Sequence, residues 1–98
     1  MATWKHNPQE QEGDYFFDGR PLLTIGVQET LSADEVLWIM MTLQRFVRKH
    51  EGADYIQVFE CDDGRKAWCI CQLSRSMKES GEYSADDDYW TMLLPEEY

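Results

Sequence analysis

The chain has 98 residues and a mass of 11.6 kDa, enough for one small domain. Nineteen Asp and Glu stand against nine Lys and Arg, a formal net charge of −10, which argues against a protein that grips nucleic-acid phosphates directly. No run reaches the ~18–20 apolar residues of a membrane-spanning helix, and a composition of 43% hydrophobic and 13% aromatic residues argues against disorder throughout.

Residues 1–19 are polar and acidic, with Gln9, Glu10, Gln11, Glu12 and Asp14 followed by Tyr15, Phe16 and Phe17. They are expected to form a partly flexible arm, anchored by the three aromatics. Residues 20–98 are expected to form the single domain. Pro21 to Val27 is a short apolar run with β-branched residues and reads as the first strand.

The strongest local signal follows. Ser32-Ala33-Asp34-Glu35 is a capping box, in which the Ser hydroxyl and the Glu carboxylate each satisfy the other's orphan amide. Val36, Ile39, Met40, Leu43, Phe46 and Val47 then recur at helical spacing. Arg45, Arg48, Lys49 and His50 suit the negative end of the dipole, and Gly52 is the expected stop. The pattern predicts a helix over 33–50.

Asp54 to Cys61 predicts a second strand, Asp63-Gly64 a two-residue turn, and Lys66 to Leu73 a returning third strand. The second strand is apolar on both faces, which places it centrally or under a second layer. Residues 74–87 lack apolar periodicity and read as a loop. Tyr89 to Leu94 is the last strand, ended by Pro95. The order β-α-β-β-β predicts an α+β fold: one long helix across a mainly antiparallel four-stranded sheet.

Three cysteines, Cys61, Cys69 and Cys71, are too few and unevenly numbered for a disulfide scaffold. They read as reduced thiols. With no secretory leader pattern at the N-terminus, the expected location is the cytoplasm.

Thr24-Ile25-Gly26-Val27, Asp54-Tyr55-Ile56-Gln57-Val58-Phe59-Glu60 and the terminal Thr91-Met92-Leu93-Leu94-Pro95-Glu96-Glu97-Tyr98 together resemble a family of small bacterial and phage proteins, domain-of-unknown-function family nine-sixty. The resemblance spans roughly residues 22–98, and its most specific piece is Leu-Leu-Pro-Glu-Glu-Tyr. The acidic arm and the loop between 74 and 88 depart from the pattern. The resemblance implies a bacterial or mobile-element setting. It implies no activity and no catalytic residue.

Charge placement is uneven. Residues 79–98 hold Glu79, Glu82, Asp86, Asp87, Asp88, Glu96 and Glu97 and no Lys or Arg. In extended chain, carboxylates two residues apart lie about 6.6–6.8 Å apart, close to the spacing of phosphates along a nucleic-acid strand. These carboxylates could occupy a basic nucleic-acid channel, with Trp90 and Tyr98 as apolar anchors. The plainer account is a solvated acidic loop. Asp86-Asp87-Asp88 lacks the spacing of a calcium loop, and Cys69-x-Cys71 lacks that of a zinc site. Two His and isolated glycines offer no nucleophile pair and no phosphate loop. No enzyme, metal or cofactor is expected.

Leu37, Trp38 and Met41 fall outside the helix's main stripe. This patch must be covered by the aromatic arm or a strand edge, or else serve as an interface. Two functions follow. The first is an acidic inhibitor of a nucleic-acid-handling protein, as an anti-CRISPR or other counter-defence protein would be, with no direct contact to nucleic acid or membrane. The second is a regulatory or structural subunit that binds through the apolar helix patch, with a homodimer as one form.

Overall fold

The computed structural model describes residues 2–8 and 13–98. Its elements are β1 (Trp4–Asn7), β2 (Arg20–Leu23), α1 (Ile25–Thr30), α2 (Ala33–His50), β3 (Ile56–Cys61), β4 (Lys66–Cys71), α3 (Arg75–Ser80) and β5 (Tyr89–Leu93). Single 3₁₀ turns occupy Ala85–Asp87 and Pro95–Glu97. Among the described residues, no helix is long and apolar enough to cross a membrane.

The α+β class agrees with the sequence, but among the described residues the sheet has five strands and is mixed. Its order is β1-β3-β4-β5-β2. β1–β3, β3–β4 and β4–β5 are antiparallel, and β2 lies parallel to β5. The extra strand comes from the segment expected to be an arm: Trp4 pairs with Cys61 and Asn7 with Val58. Gln9 to Glu12 lie outside the described residues. β3 is central, with β1 on one side and β4 on the other.

Period-two alternation sends Gln57, Phe59 and Cys61 of β3, Ala67, Cys69 and Cys71 of β4, and Trp90 and Met92 of β5 to one buried face. Helix α2 covers that face with Ile39, Leu43 and Val47, all buried. The capping box is present: Glu35 N donates to Ser32 Oγ at 3.1 Å, and Ser32 N donates to Glu35 Oε1 at 2.9 Å. The helix ends on Glu51 in the left-handed region, φ 54°, one residue before the expected Gly52.

Three further expectations are corrected. The first strand stops at Leu23, because Thr24 caps a new helix: its Oγ1 accepts from Val27 N at 3.3 Å. The run Ile25-Gly26-Val27 therefore belongs to α1. The hairpin turn has three residues, Asp62-Asp63-Gly64, since Cys61 N donates to Arg65 O at 2.8 Å. Gly64 at φ 95° supplies the positive φ that such a turn requires. Cys61 thus faces Arg65, and Glu60 faces Lys66. The expected 74–87 loop contains α3, capped by Ser74, whose Oγ accepts from Met77 N at 3.2 Å, and closed by Gly81 at φ 76°.

The aromatics of the arm serve the core. Phe17 is fully buried against Trp90, with ring centroids 5.8 Å apart. Phe16 carries the Arg75 guanidinium 3.7 Å above its ring. Tyr15 forms a backbone bridge with Ala53. Gln57, fully buried, is satisfied by His6 Nε2 at 2.8 Å and donates to Asp54 O at 3.1 Å. His6 stacks on Phe59 and meets Phe46 edge-on, and burial holds its imidazole below the usual pKa.

Candidate functional site

Strand β5 divides the acidic C-terminal region. Asp86, Asp87 and Asp88 precede it, and Glu96 and Glu97 follow it, with about 16 Å of extended chain between the two groups. The two groups therefore lie at opposite ends of β5. Several of these carboxylates are also engaged locally. Asp87 Oδ2 accepts from Ser84 N at 3.2 Å, and Asp88 accepts from Lys78 Nζ at 2.9 Å. Lys78 also meets Asp18 at 2.6 Å, so that arm residue joins the same acidic end.

Glu97 is a structural cap. Its Oε1 accepts from Thr24 Oγ1 at 2.6 Å and from Leu94 N at 2.8 Å, and its Oε2 from Gly26 N at 3.3 Å. These bonds hold its carboxyl below the ordinary range. A Cβ at Gly26 would stand 2.7 Å from this carboxylate, so a larger residue there would displace the Glu97 side chain. Among the described residues, Glu79, Glu82, Asp86 and Glu96 make no ion pair or side-chain hydrogen bond.

The two expected anchors differ. Trp90 is 1% exposed and belongs to the core, since its position on β5 points it under α2. Tyr98 is exposed and its ring meets Trp68 at 5.4 Å on the sheet's other face.

The apolar helix patch has a different fate. Leu37 is 54% exposed, Trp38 43% and Met41 49%. The aromatics Tyr15 to Phe17 pack elsewhere and leave this patch open. Leu37 borders a groove of about 450 Å³ that Leu23, Leu31, Val36 and Met40 also line. Trp38 leans the other way, with its ring 6.4 Å from Phe59. The outward face of α2 continues with exposed Asp34, Arg45 and Arg48. None of these three makes an ion pair among the described residues.

One charged network secures the start of α2. Arg65 donates to Glu35 Oε2 at 2.6 Å, to Glu35 Oε1 at 2.9 Å, to Asp63 at 2.8 Å and to the Thr30 carbonyl at 2.8 Å. Trp4 Nε1 donates to the same Glu35 carboxylate at 2.7 Å. The Arg65 hydrogen bonds, helped by Ser32 and Trp4, hold the Glu35 carboxyl down at about 2. With every acceptor engaged inside the molecule, this network is a staple between the hairpin turn and α2.

The thiols of Cys61, Cys69 and Cys71 are buried and unpaired with one another, and burial pushes all three above the ordinary thiol range. That environment disfavours the reactive thiolate. Among the described residues, no three His, Cys, Asp or Glu side chains come together to hold a metal ion. Asp86 to Asp88 do not converge on one point: Asp87 turns back to Ser84, and Asp88 turns to Lys78.

Sequence reasoning missed Asp18 as a member of the acidic end. It also read Arg45 and Arg48 only as dipole partners. Lys78, the last cation before the acidic stretch, was the available signal for the first. Comparison with known proteins adds no relative: no family model matches the chain, and neither a curated protein nor a solved structure matches it.

Proposed function

We propose that this chain is a non-enzymatic protein-binding module that docks through the outer face of the first half of α2. One observation carries the reading: Leu37, Trp38 and Met41 stand exposed together on a helix whose inner face is already packed. Contiguous exposed apolar surface is uncommon on a protein that stays alone, and covering it is favourable by about 25 cal/mol per Å². The reading accords with a regulatory or structural subunit. The motif resemblance and the three thiols favour a bacterial or mobile-element setting in a reducing cytoplasm.

Hydroxyl-radical footprinting tests it. The chain in its native extract is compared with the dilute purified chain. Protection of Trp38 and Met41 in the extract, with exposed Tyr83 equally reactive in both samples, is the expected result. Equal reactivity at all three positions sinks the reading.

A second reading, inhibition of a nucleic-acid-handling protein through its basic channel, is favoured by Glu79, Glu82 and Asp86. These carboxylates are exposed at the end that also holds Asp18. In this narrower form Trp90, Glu96, Glu97 and Tyr98 take no part. Reversing the three free carboxylates to Lys should then slow association, and added salt should weaken the complex steeply. A complex indifferent to both removes this reading.

A further inference from the structure

The outer face of α2 has a spacing that repeats when the helix is reversed, with opposite charges at its two ends. Asp34, Leu37, Met41, Arg45 and Arg48 follow one another at steps of three, four, four and three residues, and all five are exposed. Such steps keep side chains on one face of an α-helix. Asp34 and Arg48 lie seven residues either side of Met41, and Leu37 and Arg45 four either side. A second α2, laid antiparallel about a twofold axis at Met41, places each Asp34 against the partner's Arg48. It lays the stem of each Arg45 over the other copy's Leu37 and Trp38. Arg stems cover apolar surface well, and a guanidinium is attracted to an indole face. Met41 meets its own copy at the axis, where a flexible thioether fills irregular space.

Charge singles out this face within a chain of net charge −10. Arg45, Arg48 and Lys49, three of the nine cations, cluster at its C-terminal half. Elsewhere the surface is dominated by carboxylates, and two copies would repel. A basic partner is disfavoured by those cations, whereas an acidic partner bearing Asp34 at the matching distance is this chain itself.

We infer that the exposed face of α2 is a self-complementary surface that pairs two copies of this chain, antiparallel and twofold, through Met41 at the axis and reciprocal Asp34–Arg48 ion pairs. The inference rests on the docking reading of the same face and names its occupant.

Sedimentation equilibrium of the purified full chain tests it. A concentration-dependent dimer of the 11.6 kDa chain is expected. Asp34→Lys and Arg48→Glu should each weaken it by about tenfold or more, because each places like charges together twice across the axis. The double variant should return to within a few-fold of the original. Within one helix the two positions are about 21 Å apart, so the recovery cannot arise inside a single chain. As a second measurement that leaves the helix ends untouched, Met41→Cys should form an inter-chain disulfide under mild oxidation, and Glu79→Cys should not. A monomer at every concentration overturns the inference, as does a dimer indifferent to both charge reversals. So does failure of the double variant to recover. If the purified chain is monomeric while Trp38 and Met41 are protected in the native extract, self-pairing falls and the docking reading stands; without protection in either sample, both fall.

Discussion

The C-terminal acidic region and the outer face of α2 are the two unusual surfaces of this chain, and they meet opposite fates. Of seven carboxylates after residue 78, Asp87, Asp88 and Glu97 are engaged by a turn, a lysine and a helix end. Of the three large apolar side chains on the outer face of α2, all remain more than two-fifths exposed. The difference is physical. A carboxylate can be satisfied by one nearby amide or ammonium group, which a short loop supplies easily. An apolar side chain is removed from water only by contact area, which a single-layer fold on the far side of the helix cannot supply.

The largest effect expected from this contrast concerns Trp90. Trp90→Ala should lower stability by about 3–5 kcal/mol in urea unfolding, the cost of emptying a large aromatic site in a packed core. Tyr98→Ala, at the exposed end of the same region, should change it little. Near-equal losses would mean that β5 does not divide the region as described.

The next concerns acid. Glu35 has its folded pKa lowered from 4.5 to about 2. The stability it contributes is therefore fully present above about pH 4.5 and is lost as pH falls toward 2. Thermal melting between pH 7 and pH 2 should show this fall. Glu35→Gln should start lower at pH 7 and fall less steeply. Glu97 comes next. Glu97→Gln should lower Tm by a few degrees through loss of the cap on α1, and Glu96→Gln should not. The smallest effect belongs to the helix face. Leu37→Ser should alter monomer stability by no more than about 0.5 kcal/mol, because the side chain already stands in water. A large loss would show that Leu37 is part of the core and would erase the contrast.

The long helix was legible because its signals are local and agree: a capping box, a 3.6-residue stripe and cations in the last turn. The β3–β4 hairpin was legible from two β-rich runs around Asp-Gly. Trp4–Asn7 was not, because one apolar residue in Trp-Lys-His-Asn carries no alternation, and its pairing partner lies more than fifty residues away. Thr24 to Val27 misled because β-branched residues suit a strand, while the Thr24 hydroxyl and the Glu97 carboxylate stabilise a helix start instead. The free face of α2 was readable as excess apolar residues. Its openness was not, since only the tertiary placement of Phe16 and Phe17 settles what the arm covers.

The sheet's strand order also bears on how the chain matures. Its two outermost strands, β1 and β2, come first in the chain, and each borders a strand made later. Among the described residues β2 has β5 as its sole neighbour, so during vectorial synthesis it waits unpaired until Tyr89 to Leu93 emerge. β3, β4 and α2 can assemble earlier from near-neighbour segments, and the remaining edges close around them by long-range contacts, which form slowly. A nascent chain stalled before Tyr89 therefore lacks two strands at once and bares the flank of β4, the kind of edge on which chaperones and proteases act.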